Sequence, residues 1–168
     1  MEEKYNHAIK AGVIGGILLV ICSILSLAVD WINYGTGYRA GISLAVGGIS
    51  CLLFLAEVVI AAGTGALAVK YARPLLNNLS NAALTAAAAG LVAGIIDGVV
   101  RIVIAFIRPL IMGGVYSSLT DYGVPSSMVG SMGSGMISCL CMPVWVIVVV
   151  ILAAIGGALY ASLVAKMP

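Results

Sequence analysis

The sequence predicts an all-α membrane protein, a bundle of four transmembrane helices. Three observations predict it: an extreme apolar composition, four apolar stretches of membrane-spanning length, and polar or turn-forming residues between them. Of 168 residues, 62% are hydrophobic and 8% are charged, and the mean hydropathy is +1.20. Soluble domains lie near half apolar and a quarter charged, so a water-soluble fold is excluded. A helix crosses the ~30 Å hydrocarbon layer with about 20 mostly apolar residues. Residues 8–29, 41–69, 82–107 and 137–165 each meet that length, within a single integral membrane domain covering residues 1–168.

The first stretch admits two readings. Lys4, Lys10, the apolar run of residues 11–29 and the sequence Ser26-Leu27-Ala28 resemble a secretory signal peptide with a small-residue cleavage site. Acidic Glu2 and Glu3 do not suit such a leader, and an uncharged run of 19 residues spans rather than merely targets. The first helix is therefore expected to be a retained span.

Between the first and second spans, residues 30–40 include Asn33, Gly35, Gly37 and Arg39. Between the second and third, residues 70–81 hold Arg73, Asn77 and Asn78, and Pro74 disfavours helix at Arg73. Both read as turns. The third connection, residues 108–136, is longest and rich in Gly, Ser and Met. Pro109 and Pro125 are expected to break it, leaving a partly helical or re-entrant segment.

Orientation follows from Lys and Arg in the short loops. Lys4, Lys10, Lys70, Arg73 and Lys166 fall on one side, Arg39 and Arg108 on the other, which predicts cytoplasmic termini; the cell membrane is the expected location. Aromatic residues favour the headgroup level. Trp31, Tyr34, Tyr38, Tyr116, Tyr122 and Trp145 are assigned to the outer ends, Tyr5, Tyr71 and Tyr160 to the inner ends, and none to mid-span.

The formal net charge of +2 comes from eight Lys and Arg against six Asp and Glu, without a basic run that would follow a phosphate backbone. Nucleic acid is not an expected partner. Cys22, Cys51, Cys139 and Cys141 lie in or beside apolar stretches, where a free thiol acts as a small hydrophobe.

A duplication is legible, with residues 8–73 and 82–166 as the copies. Residues 11–18 (AGVIGGIL) resemble residues 89–96 (AGLVAGII). Ile-Ser-Cys-Leu occurs at residues 49–52 and 137–140, and residues 61–67 resemble residues 153–159. Two tandem hairpins of this kind keep their orientation, as in transporter repeats related by an axis along the membrane normal. The competing explanation is chance matching within a small apolar alphabet.

Small residues form stripes that let helix backbones approach. Ala82, Ala86, Gly90, Gly94 and Gly98 recur every four residues on the third helix; Gly12 and Gly16 do so on the first, and Ala153, Gly157 and Ala161 on the fourth. Such stripes serve packing within the chain, a homo-oligomer contact or a sliding surface.

Three ionisable residues fall inside predicted spans: Glu57 on the second helix, Asp97 and Arg101 on the third. Each costs roughly 2.5–3.5 kcal/mol at a helix centre. The twelve Leu, Ile, Val and Phe residues between Ala82 and Ile107 return about 0.3–0.6 kcal/mol each, so the third helix depends on its neighbours. Asp97 and Arg101, four residues apart, share a helix face. Across a hairpin at residues 70–81, a rise of 1.5 Å per residue sets Glu57 about 20 Å from the inner end, Asp97 about 22 Å and Arg101 about 28 Å. The spacing predicts a triad in which Arg101 neutralises Asp97 and Glu57 either shares the guanidinium or carries a proton. Two readings stand: a salt bridge that locks two helices, or a polar translocation site. All three charges lie on the central helices, at the junction of the copies, where transporter sites often occur.

Met128, Met132 and Met136, followed by Cys139 and Cys141, form a soft-sulfur set of the kind that suits Cu(I). No CxxC and no nearby histidine accompanies it, and methionine is a common gap filler, so no metal site is assigned. His7 stands before the first span among Glu and Lys. Nucleophile-elbow, Walker and HExxH motifs are missing from the sequence, and neither an enzyme nor a cofactor is expected.

The resulting expectation is a small transporter or ion-translocating protein with Glu57, Asp97 and Arg101 as its polar site. The alternative is a non-transporting assembly or accessory subunit that binds partner helices through its glycine stripes. Expected partners are the lipid bilayer and a homo-oligomer or partner membrane subunit.

Overall fold

Each apolar stretch folds as one helix, longer than the span read for it. In the computed structural model α1 covers Glu2–Gly35, α2 Ala40–Ala72, α3 Leu79–Tyr116 and α4 Ser127–Leu163, with a 3₁₀ turn at Arg73–Leu75. The structure describes the backbone of residues 2–35, 40–76, 78–116 and 127–166, and the side chains of residues 5–32, 45–76, 78–107 and 141–166. No strand occurs among the described residues. Tyr5–Ile32, Ala45–Leu75, Leu79–Ile107 and Cys141–Leu163 are long and apolar enough to cross a membrane. The protein is an all-α, four-helix, multi-pass membrane protein.

The third connection is partly helical, as expected, but Pro109 does not break it, and Pro125 lies outside the described residues. Helix α3 continues through Pro109 to Tyr116, and α4 begins at Ser127. Proline is tolerated in membrane helices because neighbouring groups satisfy the freed backbone, and Pro143 likewise lies inside α4. The 38 residues of α3 make it about 57 Å long, well beyond the hydrocarbon thickness.

The α2–α3 connection is tight, as predicted. Pro74 sits in the first turn of the 3₁₀ segment, Leu76 is extended, and its N–H donates to the Arg73 carbonyl at 3.3 Å. Leu76 then turns inward onto Val69, Ala72, Ala82, Ala86 and Ala161.

Large apolar side chains face outward, as with Val59 at 70% exposed and Leu52 at 67%, while the buried set is dominated by alanine. This inversion of the soluble pattern suits lipid, where close packing rather than hydrophobic burial joins helices. Around the bundle the order is α1, α2, α4, α3; α2 and α3 also touch across the middle, while α1 and α4 do not form a packed pair. The packing sets α1 beside α3 and α2 beside α4, as when one hairpin is laid against the other.

The core is layered. At the terminal end, where α1 begins and α4 ends, one cluster joins α2, α3 and α4, and another joins Ala8, Ala11, Ala68 and Ala89 of α1, α2 and α3. Further in, Leu19, Ala61, Ala93 and Val149 form a layer with one residue from every helix.

Glycines make this half tight. A Cβ on Gly65 would strike the Ala153 backbone, and one on Gly156 would strike the Ala62 backbone, so α2 and α4 meet through reciprocal glycines. Gly157 lies against Ala86. Gly12 meets Ala89 and Val92, and Gly16 meets Ile96, so both face α3. Gly90, Gly94 and Gly98 face Ala153, Val146 and Met142 of α4. Glycines matched by the repeat therefore serve different helix pairs.

Candidate functional site

One helical turn beyond the four-residue layer comes a polar one. Ser23, Glu57, Asp97 and Trp145 each lie four residues along their own helix from Leu19, Ala61, Ala93 and Val149, a step of about 6 Å. Every helix thus contributes one residue to each layer, and Arg101 stands one turn further along α3.

Asp97 is wholly buried and accepts three hydrogen bonds. Ser23 Oγ donates to Oδ1 at 2.7 Å, Arg101 Nε to Oδ2 at 2.7 Å, and Trp145 Nε1 to Oδ2 at 2.8 Å. A carboxylate that receives only donors is satisfied in its ionised form. The i, i+4 spacing supplies the arginine from its own helix; α1 and α4 supply the other two donors.

The arginine also reaches α2. Its Nη2 donates to Glu57 Oε1 at 2.8 Å, so one guanidinium holds both acids, as the depth count predicts for a shared pair. Its face lies over the Trp145 ring, 4.6 Å from the centroid, and Phe54 of α2 packs against that ring at 6.5 Å between centroids. Among the described residues Arg101 is the one hydrogen-bond donor to Glu57. Two acids and one base leave a net charge of −1 when all are ionised.

Exposure divides the group. The side chains of Asp97 and Glu57 are 0% and 7% exposed, that of Arg101 36%. Arg101 lines a cavity of about 510 Å³ bounded by α1, α3 and α4. Its polar lining is Ser23, Ser26 and Asp30 of α1 with Arg101 and Trp145; Leu27, Ile102, Met142 and Val148 form apolar wall. The cavity lies on the side of the polar layer away from the terminal end.

The three predicted charges are therefore neighbours in space, and two partners were not predicted. Ser23 was legible as a polar residue about 22 Å along α1 from Ala8, the depth assigned to Asp97. Trp145 was assigned to the outer headgroup level; the structure turns it inward onto Asp97, Arg101 and Phe54. It lies eight residues, about 12 Å, inside the start of its predicted span, too deep for that level. The stripe residues Ala86, Gly90, Gly94, Gly98, Gly12, Gly16 and Gly157 lie between helices and do not line the cavity, although Gly98 packs on Met142 of its wall. Cys141 lines the cavity; the side chains of Met128, Met132, Met136 and Cys139 lie outside the described residues.

No protein-family model matches this chain, and neither the comparison with curated proteins nor that with solved structures finds a significant match.

Proposed function

We propose that the protein is a small membrane transporter or ion-translocating protein whose polar site is Glu57, Asp97 and Arg101, with Glu57 as the member that changes its proton or cation. The observation that carries this reading is one-sided access. A cavity reaches Arg101 from one side, while Leu19, Ala61, Ala93 and Val149 close the bundle one turn away on the other. A polar site near mid-membrane, open to one side and sealed from the other, is what alternating access requires of each of its end states. Intramembrane charges mark ion and substrate pathways by default. Among the described residues Asp97 has three donors and Arg101 two acceptors, whereas Glu57 has one partner. Glu57 is thus the group whose charge can change at least cost to the network.

The excess of Lys and Arg on the terminal side supports cytoplasmic termini, with the cell membrane as the proposed location, and on that orientation the cavity faces outward. Four helices leave little room for a wide internal passage, which favours a homo-oligomer as the working unit.

Flux in proteoliposomes tests the reading, with protons and common cations screened by a pH dye and wild type compared with Glu57→Gln at matched incorporation. Wild type is expected to exchange and the variant to be silent. Silence of both across the screen would favour an accessory subunit. That second reading has its own support in Gly47, Gly48 and Gly63 of α2, where an added Cβ meets no atom within 4 Å; the stripe glycines named above are occupied by helices of the same chain.

A further inference from the structure

Two turns beyond the polar layer, α1 and α3 bring acceptor oxygens to one level of the cavity wall. The hydrogen bond from Ser23 to Asp97 sets these helices in register, and the packing of Gly12 on Ala89 and of Gly16 on Ile96 shows that they run in the same direction. Asp30 follows Ser23 by seven residues and Ala105 follows Asp97 by eight, so their backbones stand about 10 Å and about 12 Å beyond the layer. Both line the cavity, and so does Ser26 one turn deeper on α1.

The Ala105 carbonyl differs from its neighbours along α3. The helix continues through Pro109, and proline has no N–H to offer the carbonyl four residues before it. That carbonyl is left without its helical donor at a wall that also carries a carboxylate and a hydroxyl. Carbonyls freed from helical bonding are among the groups that hold cations in transporters. Asp30 has an interaction of its own within the chain; a carboxylate has about four lone-pair sites, so it can accept from a ligand as well. Charge acts in the same direction. Glu57 and Asp97 leave −1 once Arg101 is counted, and both acids hold the guanidinium back at the polar layer, about two turns below Asp30.

We propose that Asp30, the Ala105 carbonyl and Ser26 bind the head of a primary amine in its ammonium form, whose apolar body lies deeper in the cavity against Leu27, Ile102 and Trp145. Such a head has three N–H donors, one each for a carboxylate, a carbonyl and a hydroxyl, and it is ionised near neutral pH. The volume of about 510 Å³ lies within the range that holds small organic ligands, and Leu27, Ile102 and Val148 give the body an apolar wall. The proposal rests on the transport reading above and names the class of cation that the cavity takes up.

The test uses the full chain in phosphatidylcholine nanodiscs, in a Trp31→Phe background so that Trp145 is the emitting indole. The probe is the primary-amine derivative of the nitroxide TEMPO, a contact quencher of tryptophan. Its hydroxyl derivative is the uncharged match, and its trimethylammonium derivative is a cation without N–H groups. The amine is expected to quench Trp145 saturably at concentrations where the other two do not, and to be displaced by hexylamine. Asp30→Asn is expected to weaken its binding about tenfold or more, as for a charge-assisted hydrogen bond. Pro109→Ala gives the Ala105 carbonyl its helical donor back; it is expected to weaken binding about threefold and to leave the protein folded.

Equal quenching by the hydroxyl derivative overturns the cation site, and equal quenching by the trimethylammonium derivative overturns the three-acceptor head. Displacement by sodium or potassium chloride where choline chloride has no effect assigns the oxygens to a metal cation and overturns the amine. Binding by Pro109→Ala as tight as wild type overturns the role of the Ala105 carbonyl, and this variant decides the matter even where Asp30→Asn does not fold. Saturable amine binding with no flux removes the transport reading and keeps this site; proton or metal-cation flux without amine binding does the reverse.

Discussion

The two halves of the bundle are built from different materials. Toward the terminal end, α2 and α4 meet through Gly65 and Gly156, and Ala8, Ala11, Ala68, Ala72, Ala82, Ala86 and Ala161 fill the core. Beyond Leu19, Ala61, Ala93 and Val149 the same helices carry a serine, two acids, an arginine and a tryptophan, and they part around a cavity. One half holds helices together by bringing backbones close, the other by hydrogen bonds between side chains. Backbone packing of this sort has no slack, whereas a hydrogen-bonded set can exchange partners. On the proposed transport reading the first half is a fixed base and the second the part that works.

Gly65→Val should have the largest effect, because its side chain would have to occupy the Ala153 carbonyl and neither backbone can yield. A loss above about 3 kcal/mol is expected, at the upper end of overpacking costs, read as thermal unfolding in detergent micelles. Retention of the wild-type melting temperature would mean that the base is not rigid. Asp97→Asn comes next, at about 3 kcal/mol, since it removes the charge that Arg101, Ser23 and Trp145 are arranged around. The same melting experiment should rank it well above Glu57→Gln. If the two are equal, the acids are interchangeable supports and Glu57 loses its special role.

Leu19→Ala tests the boundary between the halves. Leu19 is fully buried in the closing layer, and its truncation should cost about 2–3 kcal/mol while raising passive ion leak in proteoliposomes. A tight variant would show that the seal lies elsewhere. Gly63→Ala is the smallest, because nothing stands within 4 Å of the added Cβ. It should leave the melting temperature unchanged or raise it, by no more than about 1 kcal/mol of helix propensity.

The four spans and the depth match of Glu57 with Asp97 were legible in the sequence because both are distances along a helix, and rise per residue is fixed. Rotation about the helix axis and the choice of neighbours are not encoded that way. This is why the arginine was expected near both acids, while the bonds from Ser23 and Trp145 to Asp97 went unseen. Trp145 was also masked by the general preference of tryptophan for the headgroup level, a preference overridden where a buried carboxylate offers its indole N–H an acceptor. The extent of α3 and α4 was hidden for a different reason. Hydropathy reports where a helix is apolar, and the Gly, Ser and Met of residues 127–136 form helix without being apolar enough to register.

The partners of α3 also arrive in a particular order. Chains are made from the N-terminus, so Ser23 and Glu57 are already synthesised when Asp97 and Arg101 emerge. The least insertable of the four helices thus enters a membrane where an acceptor for its arginine and a donor for its aspartate are waiting. Trp145 comes last, and its N–H closes the set. A chain released before α4 would hold its charges paired but uncovered, so the site is complete only once α4 has been made.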